Sequence, residues 1–193
     1  MSKAATGSER AVNQFLSIAQ LLDEPRLARL YSFILKEGEV TIDDIVDTLG
    51  MARTTAYADT GTLVELTVLS RDDETKTHTY TANPIKLTTN FDGDEYTITP
   101  TFIDAFGRSP QDQDLDLLIK RYGLGKLAAA LTYAVPYTEG NMSERIAARE
   151  LDIQYALCIA VLHALRDVIT SMRDQDPYFD QIRDARTQPN GAN

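Results

Sequence analysis

From Val12 onward, apolar residues recur at spacings of three and four, in runs separated by glycine, proline and acidic residues. The first run, Val12, Phe15, Leu16, Ala19 and Leu22, predicts an N-terminal helix over 10–24 with these side chains turned inward. Residues 1–9 are small and polar and read as a disordered tail. Pro25 suits a first helical turn, and Leu27, Leu30, Tyr31, Ile34 and Leu35 form the next stripe, closed by Gly38.

The chain is arranged around residues 41–80, TIDDIVDTLGMARTTAYADTGTLVELTVLSRDDETKTHTY. Thr41 is a good N-cap and Asp44 completes an acidic capping box. Ile45, Val46 and Leu49 point inward, and Gly50 supplies a left-handed turn. A second helix starts at Ala52 or Arg53, with Ala56, Thr60, Leu63 and either Val64 or Leu66 inward. Gly61 costs that helix about 1 kcal/mol relative to alanine. Strands at 68–71 and 77–81 flank the turn 72–76, and Asn83-Pro84 ends the unit at residue 84.

A second hairpin, 85–91 with 95–99, surrounds Asp92-Gly93-Asp94. Pro100 opens a short helix through Phe106 that Gly107 stops, and 108–113 is a linker. Helical patterns cover 115–122, 126–135 and 143–172, interrupted at 136–141, and an amphipathic piece at Tyr178, Phe179 and Ile182 precedes a polar tail over 183–193. Residues 143–165, SERIAARELDIQYALCIAVLHAL, echo the first helix-turn-helix pattern with an extra residue before the turn and no glycine there. That segment reads as a packing helix, with a degenerate second helix-turn-helix as the alternative. Residues 155–168 are apolar nearly all round and must be buried, in a central core or against a two-fold mate. Tyr155, Leu157, Val161, Leu162 and Leu165, with Phe15 and Leu22, are therefore candidate dimer contacts. The expected class is mainly α with small β-hairpins: a winged helix-turn-helix over 25–84, and a hairpin with a helical dimerisation or sensing domain over 85–182.

Composition alters this picture in three ways. At 43% hydrophobic and 25% charged residues, the 193-residue chain can bury a sizeable core. Its 29 acidic and 19 basic residues give a formal charge of −10, which removes any bulk-basic argument for nucleic-acid binding. A DNA contact then needs a local basic face, or enough salt to screen repulsion. The acidity also fits a halophilic protein, with an ordinary acidic cytosolic one as the equal alternative. Thirdly, Cys158 is the lone cysteine, which suits a reducing cytosol. The opening residues lack the apolar core of a signal peptide, no apolar run approaches a membrane span of about 20 residues, and the expected location is cytoplasmic.

Enzyme chemistry finds little support. His78 and His163 are far apart, and His163 reads as a hydrogen-bonded core residue within an apolar run. Cys158 and His163 are too far apart to share a helix face, so no metal site is expected. Residues 92–95 lack calcium-loop spacing, and no phosphate loop, dinucleotide fingerprint or nucleophile elbow is present, so no cofactor is expected.

In a helix-turn-helix the first helix crosses the DNA backbone and the second enters the major groove by its N-terminus. The exposed positions there are Arg53, Thr54, Thr55, Tyr57 and Ala58. Arginine pairs with guanine, threonine methyls touch thymine, and tyrosine bonds phosphate. The wing offers Lys76, Thr77 and His78, with Arg71 at its base, whereas Asp59, Asp72, Asp73 and Glu74 oppose DNA.

The helix-turn-helix TIDDIVDTLGMARTTAY and the wing approach LVELTVLSRDD resemble the winged-helix domains of prokaryotic transcriptional regulators of the ArsR, MarR and TrmB type. With TPTFIDAFG and SERIAARELDI, the acidic chain is similar to haloarchaeal regulators of this kind. Such families usually carry glycine where this chain has Thr67. The resemblance implies a homodimeric regulator of double-stranded DNA, with helices outside the wing making the dimer. The runner-up is a non-catalytic interaction module of the transcription or replication machinery. Tyr122, Tyr133, Tyr137 and Tyr155 could line a small-molecule effector site between the C-terminal helices, with ordinary core packing as the plainer reading.

Overall fold

Thr41 ends a strand and begins a helix, and this double use fixes the geometry of the N-terminal unit. In the computed structural model, which describes residues 7–73, 77–91 and 94–184, the chain is mainly helical with two small antiparallel sheets, an α+β class. Two compact units divide it, residues 1–87 and 88–193.

In the first unit, α1 (Gly7–Leu21) begins three residues closer to the N-terminus than a tail over 1–9 allows, and residues 1–6 lie outside the described residues. Its inward face is also shifted. Ile18 and Leu21 are buried, while Val12, Phe15, Leu16 and Ala19 are exposed and Leu22 is half-buried. Ser17 turns inward because its hydroxyl donates to the Asn13 and Leu66 carbonyls, which satisfies it at depth.

Helix α2 (Pro25–Glu37) buries Leu27, Leu30, Tyr31 and Ile34 and ends at Gly38, whose φ of 87° favours glycine. The three-residue strand β1 (Glu39–Thr41) follows, too short for periodicity to reveal. Thr41 then caps α3 (Ile42–Leu49): its hydroxyl accepts from the Asp44 amide at 3.3 Å. The Thr41 amide and hydroxyl donate back to the Asp44 carboxylate at 2.8 and 2.7 Å, holding that carboxyl below its usual range. Gly50 takes the left-handed conformation, φ 65°, and α4 (Arg53–Glu65) begins three residues later.

Helix α4 buries Ala56, Thr60 and Leu63, as its pattern predicts, and also Asp59. Strands β2 (Leu69–Asp72) and β3 (Thr79–Ala82) form a hairpin, and β1 pairs with the far side of β3, giving the order β1-β3-β2. Val40 lies opposite Tyr80, and Arg71 lies opposite it on the other flank. The buried Tyr31 hydroxyl donates to the Asn83 carbonyl at 3.0 Å and accepts from the Ile85 amide, which ties the hairpin's exit to α2.

The second unit opens on the hairpin of β4 (Leu87–Phe91) and β5 (Asp94–Ile98); positions 92 and 93 of the expected turn lie outside the described residues. Helix α5 (Pro100–Arg108) runs through Gly107 instead of stopping there, and a 3-10 turn at Ser109–Gln111 replaces most of the expected linker. Helix α6 (Gln113–Tyr122) is capped by Asp112, which accepts from the Asp114 and Leu115 amides. Helix α7 (Leu124–Thr138) carries Pro136 in its last turn, so that proline does not interrupt it. The continuous helical pattern over 143–172 is in fact two helices, α8 (Glu144–Leu151) and α9 (Tyr155–Met172), followed by α10 (Phe179–Asp184).

Helix α9 is the centre of this unit, packed by α5, α6, α7 and α8. It has the length and mean hydropathy, 1.4, of a membrane span, which a search for runs of about 20 apolar residues overlooks. Leu157, Val161, Leu162 and Leu165, expected at a dimer contact, are buried within the unit's own core. Each fully buried leucine or valine stabilises the fold by about 1.5–3 kcal/mol, so these side chains are committed to folding and are closed to a partner. Tyr155 alone of the α9 set is exposed. His163 is also exposed; its Nε2 lies 3.0 Å from the Tyr137 hydroxyl, so it is not the core histidine its apolar neighbours suggest.

Candidate functional site

The first turn of α4 presents Arg53, Thr54, Tyr57 and Ala58 to solvent, with Thr55 half-buried. The turn is exposed because Ala56, Asp59 and Thr60 take the inward positions against the rest of the unit. From the hairpin, Arg71, Thr77 and His78 are exposed as well. Lys76 lies outside the described residues.

Four of these residues converge. Arg53 and Tyr57 from α4, Thr77 and His78 from the hairpin, and Thr41, Ile42 and Asp43 from the start of α3 line one cleft of about 230 Å³. Thr54, Thr55 and Ala58 lie beside it on α4 and are not part of its wall. The register of β3 explains the convergence: Thr79 pairs with Thr41, so the residues just before β3 emerge next to the N-terminus of α3.

Each described basic group here is paired with a carboxylate, and two of them share one. Arg53 pairs with Asp43, and that contact raises the guanidinium pKa. Arg71 pairs with Asp73 through both Nε, at 2.7 Å, and Nη2, at 2.9 Å. The same carboxylate accepts from His78 Nδ1 at 2.8 Å. Hydrogen bonding from Arg71, helped by His78, holds the Asp73 carboxyl below its ordinary range, so it stays ionised throughout the neutral region. A phosphate entering the cleft must therefore compete with Asp43 and Asp73 for the same donors.

Sequence reasoning missed these pairings. A signal existed for Asp43, since capping by Thr41 and Asp44 leaves it on the outward face of α3, level with the next helix. Asp59 was misjudged in the other direction. It is 6% exposed and accepts from Arg26 Nε at 2.8 Å and Nη2 at 3.3 Å, so it pins α4 to the start of α2 and does not face a ligand.

In the second unit, Tyr137 and Tyr155 both donate to the Glu144 carboxylate, at 3.1 and 3.2 Å. Two of the four tyrosines proposed for an effector site thus belong to a hydrogen-bonded surface cluster. Cys158 is fully buried, which pushes its thiol pKa up to about 11 and leaves it a poor nucleophile. Among the described residues, no three His, Cys, Asp or Glu side chains are grouped to hold a metal ion.

Residues 109–174 match a family described as "Family of unknown function (DUF7437)". The match covers about a third of the chain, from the 3-10 turn through α9, and leaves the cleft outside it. No curated protein and no solved structure matches the chain.

Proposed function

We propose that this protein is a sequence-specific DNA-binding transcriptional regulator, cytoplasmic and homodimeric, that reads DNA through a winged helix-turn-helix formed by α2, α3, α4 and the β2–β3 hairpin. One observation carries the reading: the first turn of α4 and the return of the hairpin bring Arg53, Tyr57, Thr77 and His78 to one exposed cleft. A helix N-terminus beside a hairpin is the arrangement that places side chains in the major groove and on the flanking phosphates together. With the α9 leucines taken up by the core, the exposed Val12, Phe15 and Leu16 of α1 are the dimer surface this reading requires.

The test is binding of the full chain to duplex fragments at several salt concentrations, with Arg53→Ala and Thr54→Ala alongside the wild type. The reading predicts weaker binding for Arg53→Ala and altered sequence preference in at least one variant. No binding to any duplex at any salt sinks it.

The pairing of Arg53 with Asp43, and of Arg71 and His78 with Asp73, favours a second reading. In that reading the same face docks a protein of the transcription or replication machinery. Capture of such a partner, unaffected by competing DNA, would support it.

A further inference from the structure

The three-helix arrangement of the first unit recurs in the second with identical spacing. Gly38, Thr41, Gly50 and Arg53 in the first correspond to Gly140, Ser143, Asp152 and Tyr155 in the second, with no extra residue before the turn. Gly38 and Gly140 both adopt positive φ, 87° and 77°. Thr41 and Ser143 each cap an eight-residue helix by accepting from the amide three residues on. Gly50 and Asp152 both take the left-handed conformation, φ 65° and 49°, and the next helix starts three residues later in each case. Aspartate is among the few residues that tolerate this conformation, so the turn survives without glycine.

The interiors correspond too. Ala56, Thr60 and Leu63 are fully buried in α4, and so are Cys158, Leu162 and Leu165 at the matching places in α9. The buried Asp59, which needs Arg26, is matched by Val161, which needs no partner. Buried positions thus keep their places, while polarity has been exchanged for apolar packing.

Two outward positions differ in sign, although α8 also carries Glu144 and the exposed Glu150. Helix α3 exposes Asp43 and Asp47, and at the same positions α8 exposes Arg145 and Arg149. Arg149 contacts Glu150 at 2.7 Å, an exposed pair worth little. The first helix of a helix-turn-helix crosses the phosphate backbone. In the first unit that helix is acidic, whereas in the second it carries two arginines one turn apart.

We propose that α8 and the first turn of α9 form a second DNA-binding head, with Arg145 and Arg149 on backbone phosphates and Tyr155 and Ala156 facing the groove. Tyr155 and Ala156 are both exposed, and alanine can meet a thymine methyl. The inference rests on reading α3 and α4 as a helix-turn-helix, since that is the template. It assigns to the protein two heads of unequal kind, one reading through Arg53 and the other gripping the backbone. Two modest contacts joined in one chain bind far more tightly than either alone.

The full-length chain, Arg53→Ala and the double variant Arg145→Ala/Arg149→Ala are titrated with a random 30-base-pair duplex between 50 and 200 mM salt. Both arginines are exposed, so thermal melting of the double variant should match wild type. Each lost phosphate contact lowers the salt slope by about 0.9, so the double variant's loss of affinity across that range should be about tenfold smaller than the wild type's. An unchanged slope and affinity in the double variant, with Arg53→Ala weakened, overturns this proposal alone and leaves the α8 face to a protein partner. A weakened double variant beside an unchanged Arg53→Ala supports the second head and overturns the first. Absence of wild-type binding overturns both.

Discussion

The side-chain amide of Asn83 donates to the Thr67 carbonyl at 3.0 Å, across the base of the hairpin, and Thr67 sits there with φ 60°. A β-branched residue in the left-handed region stores strain of about 1–3 kcal/mol. The Asn83 main chain adds a bond to the Val68 carbonyl at 2.9 Å, and its Oδ1 accepts from Ser70. The hairpin's own hydrogen bonds therefore hold this tight turn without a glycine.

Thr67→Gly should relieve that strain at an entropic cost of about 0.5–1 kcal/mol, so the net change should be stabilising by about 1 kcal/mol. Urea denaturation decides it, and a lower midpoint would show that Thr67 is not strained. Asn83→Ala should shift the midpoint the other way.

Removing Arg26 should leave the buried Asp59 carboxylate without its partner. Breaking a buried pair costs about 3–5 kcal/mol, and the half-exposed arginine reduces this to about 2 kcal/mol. Replacing both partners, as Arg26→Ala/Asp59→Val, should recover most of that loss, because valine occupies the corresponding position of α9. If the double variant is no more stable than Arg26→Ala, the correspondence between α4 and α9 does not extend to packing.

Asp43→Asn should strengthen DNA binding several-fold at low salt, since it frees Arg53 from its intramolecular competitor. The gain should shrink as salt rises. Equal affinities at 50 mM salt would count against Arg53 as a DNA contact.

Stability should fall at both ends of the pH scale for separable reasons. The Asp44 and Asp73 pKa values are depressed in the folded chain, so their contribution is present above the unfolded carboxylate value and lost as pH falls. The Cys158 thiol is raised to about 11, so its contribution is complete below about 9 and lost as pH rises toward 11. Denaturant midpoints of wild type and Cys158→Ala between pH 8 and 10.5 isolate this: the wild type should decline more steeply. Parallel curves would show that the thiol is not held neutral.

A Phe15→Asp substitution should convert a dimer to a monomer without loss of secondary structure, because Phe15 is 55% exposed in the single chain. Sedimentation velocity reads the outcome, and an unchanged assembly removes α1 from the interface.

Much of the fold was legible because its signals are local. Thr41 and Asp44 form the capping box that their spacing announces, Gly38 and Gly50 end helices where positive φ is required, and the buried stripes of α2 and α4 follow helical periodicity. Strand β1 escaped because three residues show no period, and its role depends on β3, some forty residues away. The α1 stripe was misphased because Ser17 turns inward only when the Leu66 carbonyl is there to accept its hydroxyl.

The cleft that opens onto residues 41–80 shows the same division. The sequence by itself determined which side chains lie on the outer turn of α4 and on the hairpin, since periodicity and turn chemistry act within a few residues. Only the tertiary structure decided that Arg53 faces Asp43, that Asp73 serves both Arg71 and His78, and that Asp59 is buried against Arg26. It also decided that the α9 leucines belong to a core. Those facts come from register between distant segments and from packing, and no local pattern encodes them.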